Sequence, residues 1–327
     1  MLIMYAFFIM LMVTSFKTID DAIEPYMIAC LVLAIIAIFQ QLGYAFNIPA
    51  LYDYTNLGFH VNNFTYSEGF LRVNSLLAEP SHLGGVLIPY ISIFYVRLCI
   101  INYKLNVSNK IACVIVLLAF IMTASLVAFF GLVVSILSLS LLLGGRGGRK
   151  LIAIFFSVVT VGLVVNSSSL IGEKIDGMTK LNDDEYMSSS SGLSAYAVYS
   201  NYLVAKRSFQ ENPIFGVGIF NHEKAYFRYI GKEVAMLNEK LNYKDAASLY
   251  IRICSEFGLY SILLIVCFLI KFFPNSKFAI NDGFYMYSIF FISIFVLMFR
   301  NGNYLYIPFI YFVVMLLNYS KINSYAR

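Results

Sequence analysis

Between Arg72 and His82 the sequence reads RVNSLLAEPSH. A guanidinium (Arg72), a carboxylate (Glu79), the hydroxyl of Ser81 and an imidazole (His82) thus fall within eleven residues, just ahead of an apolar run. Side chains of these types can hold an anion, move a proton and orient a hydroxyl. The start of a helix explains part of the pattern. Proline opens helices, serine or a carboxylate can cap them, and a carboxylate near the N-terminus gains from the dipole. That leaves Arg72 and His82 without a role. If FLRVNSLLAE is helical, Arg72 and Glu79 stand two turns apart on one face. From the residues alone, a capped helix start and a functional site weigh about equally.

A second group lies in KRSFQENPIFGVGIFNHEKAYFRY, residues 206–229. Asn212-Pro213 and Gly216-x-Gly218 predict a turn between a helix bearing Arg207 and a segment bearing His222, Lys224 and Arg228. No βαβ unit surrounds the G-x-G, so it is not a dinucleotide loop. In SLYIRICSEFGLY, Arg252 and Glu256 are four residues apart and share a helix face inside an apolar run. Ionisable groups in a membrane span are costly and turn toward a bundle interior or a wet cavity, although a mutually satisfied ion pair is the plainer reading. Arg300 ends another run, where it can snorkel. Upstream, MSSSSGLSAY (187–196) reads as flexible linker and Asp183-Asp184-Glu185 as a solvated acidic run. No carboxylates, histidines or cysteines recur at metal-ligand spacing, so no metal site is expected.

The elements that must position these groups are membrane helices. Of 327 residues, 60% are hydrophobic and 13% charged, with a mean hydropathy of +0.77, which excludes a soluble domain with a polar surface. Apolar runs cover residues 1–16, 27–46, 83–101, 111–143, 151–165, 249–273, 284–299 and 304–317. Most approach the roughly 20 residues that cross a bilayer. The run 111–143 is too long for one crossing and divides at Thr123-Ala124-Ser125, because the basic loops before and after it both belong in the cytoplasm. The expected fold is all-α, a polytopic transmembrane helical bundle of about nine helices. Residues 1–165 form its N-terminal part with an outer loop at 47–82, 166–248 a large extracytoplasmic loop, and 249–327 the C-terminal helices. Nine crossings with a cytoplasmic C-terminus put Met1 outside, which one or more upstream helices absent from the sequence would explain. Residues 1–16 lack the basic start and small-residue cleavage site of a secretion signal.

The five cysteines lie in or beside apolar runs without C-x-x-C spacing and read as packing residues. The net charge of +5 follows from cytoplasmic loop lysines and arginines, and requires no nucleic acid. On this topology Arg72, Glu79, His82, Arg207, His222, Arg252, Glu256 and Arg300 all map to the outer leaflet level. Arginines and histidines gathered there suit a lipid-linked phosphate or diphosphate, whose oxygens guanidinium groups bind bidentately.

Arg72…Ser75…Glu79-Pro80-Ser81 opening a helix resembles the R…S…EPS signature of Wzy-type O-antigen and capsule repeat-unit polymerases. Arg207…Pro213…Gly216-x-Gly218 and Ser248-Leu249…Glu256-Phe257-Gly258 are similar to the large-loop and post-loop motifs of the wider O-antigen polymerase and ligase superfamily. Ligases of that superfamily carry a His-Asn pair just before the post-loop helix. Ala247-Ser248 stands here instead, which favours a polymerase, although His222 could take the place of that histidine from elsewhere in the loop. The resemblance implies a metal-independent glycosyltransferase at the outer face of the bacterial inner membrane. Its substrates would be undecaprenyl-diphosphate-linked oligosaccharides, its surroundings the lipid bilayer, and a chain-length regulator protein a further partner. It implies cations for the leaving diphosphate, for which Arg72, Arg207 and Arg252 are the candidates. It also implies a base for the attacking hydroxyl, Glu79 or His82, with Ser81, His222, Arg228, Glu256 and Arg300 in substrate binding. A lipid-linked sugar flippase would also bury charge in a helical bundle, but the sequence has no inverted repeat or paired broken helices.

Overall fold

In hydrocarbon every backbone amide and carbonyl must be paired within the protein, and apolar runs of this length therefore become helices. The computed structural model describes residues 19–55, 66–67, 70–101, 106–143, 190–230, 241–274, 282–299 and 301–325. The expected spans 1–16 and 151–165, the acidic run and Arg300 lie outside the described residues. The chain divides into two units by its contacts, and each is described by itself.

The first unit contains helices α1 (Ile19–Ala45), α2 (Pro49–Tyr52), α3 (Pro80–Tyr95), α4 (Val107–Met122), α5 (Leu126–Leu143), nearly all of α10 (Asp282–Met298) and α11 (Ile307–Tyr325). A π-helical turn, Val96–Ile100, continues α3. Among the described residues three stretches are long and apolar enough to cross a membrane, Ile23–Ala45, Pro80–Ile100 and Leu126–Leu143. The expected division of residues 111–143 is present. Ala124 takes a left-handed conformation (φ +43°) between α4 and α5, and the Ser125 hydroxyl accepts from the Ala128 amide at 3.4 Å. A short antiparallel ribbon pairs β1 (Tyr66–Ser67) with β2 (Phe70–Leu71) beside the helices.

Lipid is as apolar as leucine, so close packing and polar stitches hold membrane helices together. Helix α1 packs along α4, and α3 along α5. A Cβ on Gly84 would stand 2.3 Å from that of Ala128, so glycine sets the approach of α3 to α5. Ser92 and Ser135 share a hydrogen bond at 2.8 Å, and Tyr95 meets Ser140 at 2.6 Å. The Tyr26 ring stacks on Tyr311 at 5.4 Å while its hydroxyl donates to the Val86 carbonyl.

The second unit contains α6 (Ser190–Glu211), α7 (His222–Tyr229), α8 (Leu249–Phe257) and α9 (Leu259–Phe272), with the segment Met298–Tyr306. Two expectations are corrected here. Residues 190–196, read as linker, form the start of α6, whose later turns bury Ala197, Val204 and Ala205 and hold the segment helical through packing. The run 249–273 is two helices, broken at Gly258, which adopts φ +56°. Its first half carries the Arg252–Glu256 pair, and only the second half, α9, is a continuous apolar helix.

Candidate functional site

The break at Gly258 is built by the predicted turn. Residues 212–218 run along the end of α8 and take over its unpaired carbonyls: the Val217 amide donates to Ser255 O at 3.0 Å and the Gly218 amide to Glu256 O at 2.9 Å. The same turn supplies acceptors for α9, with the Leu259 amide on Pro213 O at 2.8 Å and that of Tyr260 on Ile214 O at 3.4 Å. Both glycines are required. Gly216 has φ +63°, and a Cβ there would fall 2.5 Å from the Glu256 carbonyl carbon; at Gly258 it would fall 2.5 Å from Pro213 O.

This splice presents Glu256, fully buried, to three donors. Arg252 Nε lies 2.9 Å from Oε1 in a buried ion pair, the Tyr304 hydroxyl donates to Oε2 at 2.7 Å, and the His222 amide donates to Oε1 at 3.3 Å. The carboxylate therefore also serves the N-terminus of α7, where negative charge is favoured. Arg252 is fixed in turn. Its Nη1 donates to Gly302 O at 2.8 Å, and the guanidinium lies over the rings of Tyr304 (4.6 Å) and Phe220 (5.5 Å). Gly302 can be nothing larger, because a Cβ would sit 1.3 Å from Asp245 O. Among the described residues Arg252 Nη2 has no hydrogen bond.

His222 is buried beside this pair. Asn201 Nδ2 donates to Ala197 O (2.6 Å) and Leu241 O (3.0 Å), which leaves Oδ1 to accept from His222 Nε2 at 3.0 Å. The ring proton is then on Nε2, and Nδ1 keeps a lone pair with no partner among the described residues. Burial, then the Arg252 charge, lowers the histidine to about 4, so it is neutral at pH 7. Just before α8, Ala246 and Ala247 both adopt φ +57° while buried, a left-handed pair that costs non-glycine residues strain. Asp245 Oδ1 supports that turn by accepting from the Ala247 amide at 3.2 Å, and the Ser248 hydroxyl donates to Met298 O at 3.1 Å. Arg207 is exposed and donates from Nη1 to Tyr229 O. Arg228, also exposed, pairs with Glu211 at 3.3 Å.

In the first unit the stretch from Arg72 to Glu79 is not helical, which corrects the expectation of a shared face for these two residues. Residues Phe70–Leu71 are β2, and Ser75 turns left-handed at φ +54°. The cause is Gln40 of α1. Its buried Oε1 accepts from the amides of Asn74 (3.2 Å) and Ser75 (2.7 Å), satisfying them outside any helix. Arg72 Nε donates to Thr123 O at 3.4 Å and the Val73 amide to Met122 O at 3.2 Å, placing a cation at the C-terminus of α4. Pro80 opens α3 as expected. Glu79 is its N-cap residue by backbone, yet its side chain makes no cap hydrogen bond, and Oε2 accepts instead from the Ser81 hydroxyl at 3.0 Å. His82 lies half-buried on the first turn of α3, its amide donating to Glu79 O at 3.0 Å.

Residues 111–266, from within α4 to within α9, match the family model described as O-antigen ligase. The match supports membership of the O-antigen polymerase and ligase superfamily. No curated protein and no solved structure matches the chain. With the apolar helices, the match supports a membrane protein of the glycosyltransferase type that works on lipid-linked glycan.

Within the matched span, Arg252, Glu256 and His222 come together as one network. Arg207 and Arg228 remain at the exposed surface of the same unit, and Arg72, Glu79, Ser81 and His82 occupy the other. Four participants were not singled out from the sequence: Gln40, Asn201, Gly302 and Tyr304. The amide pair Gln40-Gln41 inside an apolar run was a usable signal for Gln40, since buried polar groups in a span need a partner. The bond from Tyr304 to Glu256 joins residues 48 apart, and no periodicity reports such a pairing.

Proposed function

We propose that the chain is a polymerase joining undecaprenyl-diphosphate-linked oligosaccharide repeat units into a surface polysaccharide at the outer face of the bacterial inner membrane. A hydroxyl of the acceptor sugar attacks the anomeric carbon of the donor. The bond from that carbon to the lipid diphosphate breaks, the hydroxyl proton passes to a base, and the lipid diphosphate leaves. Arg72, Arg207 and Arg252 stabilise the leaving diphosphate without a metal, and Glu79 or His82 takes the proton. Ser81, His222, Arg228, Glu256 and Arg300 bind substrate. In this reading residues 1–165 and 249–327 supply the membrane helices and 166–248 the extracytoplasmic loop, with a chain-length regulator as partner.

The observation that carries the proposal is the guanidinium of Arg252. Two of its nitrogens and its face are held by Glu256, Gly302 and two aromatic rings, while Nη2 has no hydrogen bond among the described residues. A cation fixed in this way loses little freedom when it meets a phosphate oxygen, as electrostatic stabilisation of a leaving group requires. The description of the matching family favours a second reading, transfer of finished polymer to its final acceptor. Against it, Ala247-Ser248 stands where a ligase carries His-Asn. A deletion strain separates the two. The polymerase reading expects single repeat units and no longer chains. Long polymer accumulating on the lipid carrier overturns it in favour of the ligase.

A further inference from the structure

Residues 213–220, Pro-Ile-Phe-Gly-Val-Gly-Ile-Phe, carry no charge. Four large apolar side chains of this turn stand in the open: Ile214 is 53% exposed, Phe215 69%, Ile219 55% and Phe220 60%. Single exposed apolar residues are ordinary, but four within seven positions make a patch of the kind that marks a contact surface. Its location identifies the contact. The Pro213 and Ile214 carbonyls accept the first two amides of α9, and the Phe215 ring stacks on Tyr260 at 5.1 Å and 18°. The turn is therefore fixed to the first turn of α9. That helix is apolar and open on most sides, with Ile262, Leu263 and Leu264 all exposed and only Ser261 and Phe272 buried. Its 14 residues extend about 21 Å, short of the roughly 30 Å of a hydrocarbon core. An apolar helix shorter than the membrane keeps both ends at or below the interface. Whatever is bonded to its first turn shares that depth.

We propose that residues 213–220 insert into the bilayer interface at the Gly258 end of α9, with Ile214, Phe215, Ile219 and Phe220 in contact with lipid. The occupant of the patch is lipid because the exposed face of the turn is continuous with the apolar surface of α9. The flanking helices present exposed cations, Lys206 and Arg207 near the end of α6 and Lys224 and Arg228 on α7, as interfacial segments do. The insertion holds α6 and α7 down on the membrane, where a lipid-borne headgroup emerges. It rests on α9 being membrane-embedded, and stands apart from whether the chain polymerises or ligates glycan.

The chain has no tryptophan, so a substituted one is a single reporter. Phe215→Trp and Ile219→Trp are each placed in nanodiscs holding one protein copy, in phosphatidylethanolamine and phosphatidylglycerol, with folding checked by circular dichroism. Quenching is read with acrylamide and with lipids brominated near the top of the acyl chain. Insertion to about 5–10 Å predicts blue-shifted emission, loss of about half the intensity in brominated lipid, and weak acrylamide quenching in both variants. Emission and acrylamide quenching equal to those of N-acetyltryptophanamide, with no effect of bromine, overturn the proposal. So does blue-shifted emission untouched by bromine, which would mean that another segment of the chain covers the patch. A blue shift found only at high protein density, in vesicles and not in single-copy discs, assigns the patch to a second copy and overturns it equally.

Discussion

Glutamine at position 256 keeps the shape of the side chain and removes its charge. The carboxylate receives Arg252 Nε, the Tyr304 hydroxyl and the His222 amide at 2.9, 2.7 and 3.3 Å. The amide oxygen of glutamine serves one or two of these, and its NH2 faces a donor. Arg252, nearly buried, loses its counter-charge. Removing one partner of a buried pair costs about 3–5 kcal/mol, a large share of the 5–15 kcal/mol that holds a typical folded protein together. Arg252→Met strands the carboxylate and should cost a similar amount. The double variant, Arg252→Met with Glu256→Gln, leaves no unpaired charge, so its cost should fall short of the sum by about 2 kcal/mol or more. The assay is SDS-driven unfolding of the purified protein in mixed micelles, followed by circular dichroism. Costs that add to within about 0.5 kcal/mol would show that the two residues are not coupled, and would refute the network.

Arg72→Lys keeps charge and length but not the planar fork, and Glu79→Gln keeps the shape without the base. At normal membrane levels both should shorten or abolish polymer, by about 100-fold in rate for a lost transition-state contact of about 3 kcal/mol; near-normal ladders would return this stretch to a helix start. His222 falls from 6.5 to about 4 on folding, so the unfolded chain binds the extra proton first. Stability from this group is complete above pH 6.5 and is lost as pH falls toward 4. His222→Gln should flatten the stability profile in that window, and an unchanged slope assigns it to other groups. Gly216→Ala meets both a positive φ and the Glu256 backbone, and should lower the yield of folded protein on size-exclusion in detergent, where a wild-type profile would contradict the splice.

Apolar runs and basic loops were enough to locate α1, α3, α4, α5, α10 and α11, because hydrocarbon leaves few alternatives to the helix. The division at Thr123-Ala124-Ser125 followed from length and charge. The Arg252–Glu256 pair followed from spacing alone, since four residues on a helix make neighbours whatever surrounds them. The break at Gly258 was hidden because the apolar run continues through it. What stabilises the break is a turn more than 40 residues earlier in the chain, and only the positive-φ tolerance of glycine hinted at it. The stretch Arg72 to Glu79 misled for a similar reason. Its apolar spacing imitates a helix, while the amide of Gln40 claims its backbone from another element. Long-range partners of single polar groups leave no periodic trace, and they decided both errors.

Polymerisation of lipid-linked repeat units is measured most directly by reconstitution. The purified protein in liposomes is given undecaprenyl-diphosphate-linked repeat units as the sole glycan, and the lipid-linked products are sized by gel and mass spectrometry. A polymerase gives a ladder in steps of one repeat unit with release of undecaprenyl diphosphate, and the Arg252→Ala protein gives no ladder. Unchanged single units with folded, correctly oriented protein, or transfer of glycan only when a separate final acceptor is added, would contradict polymerisation.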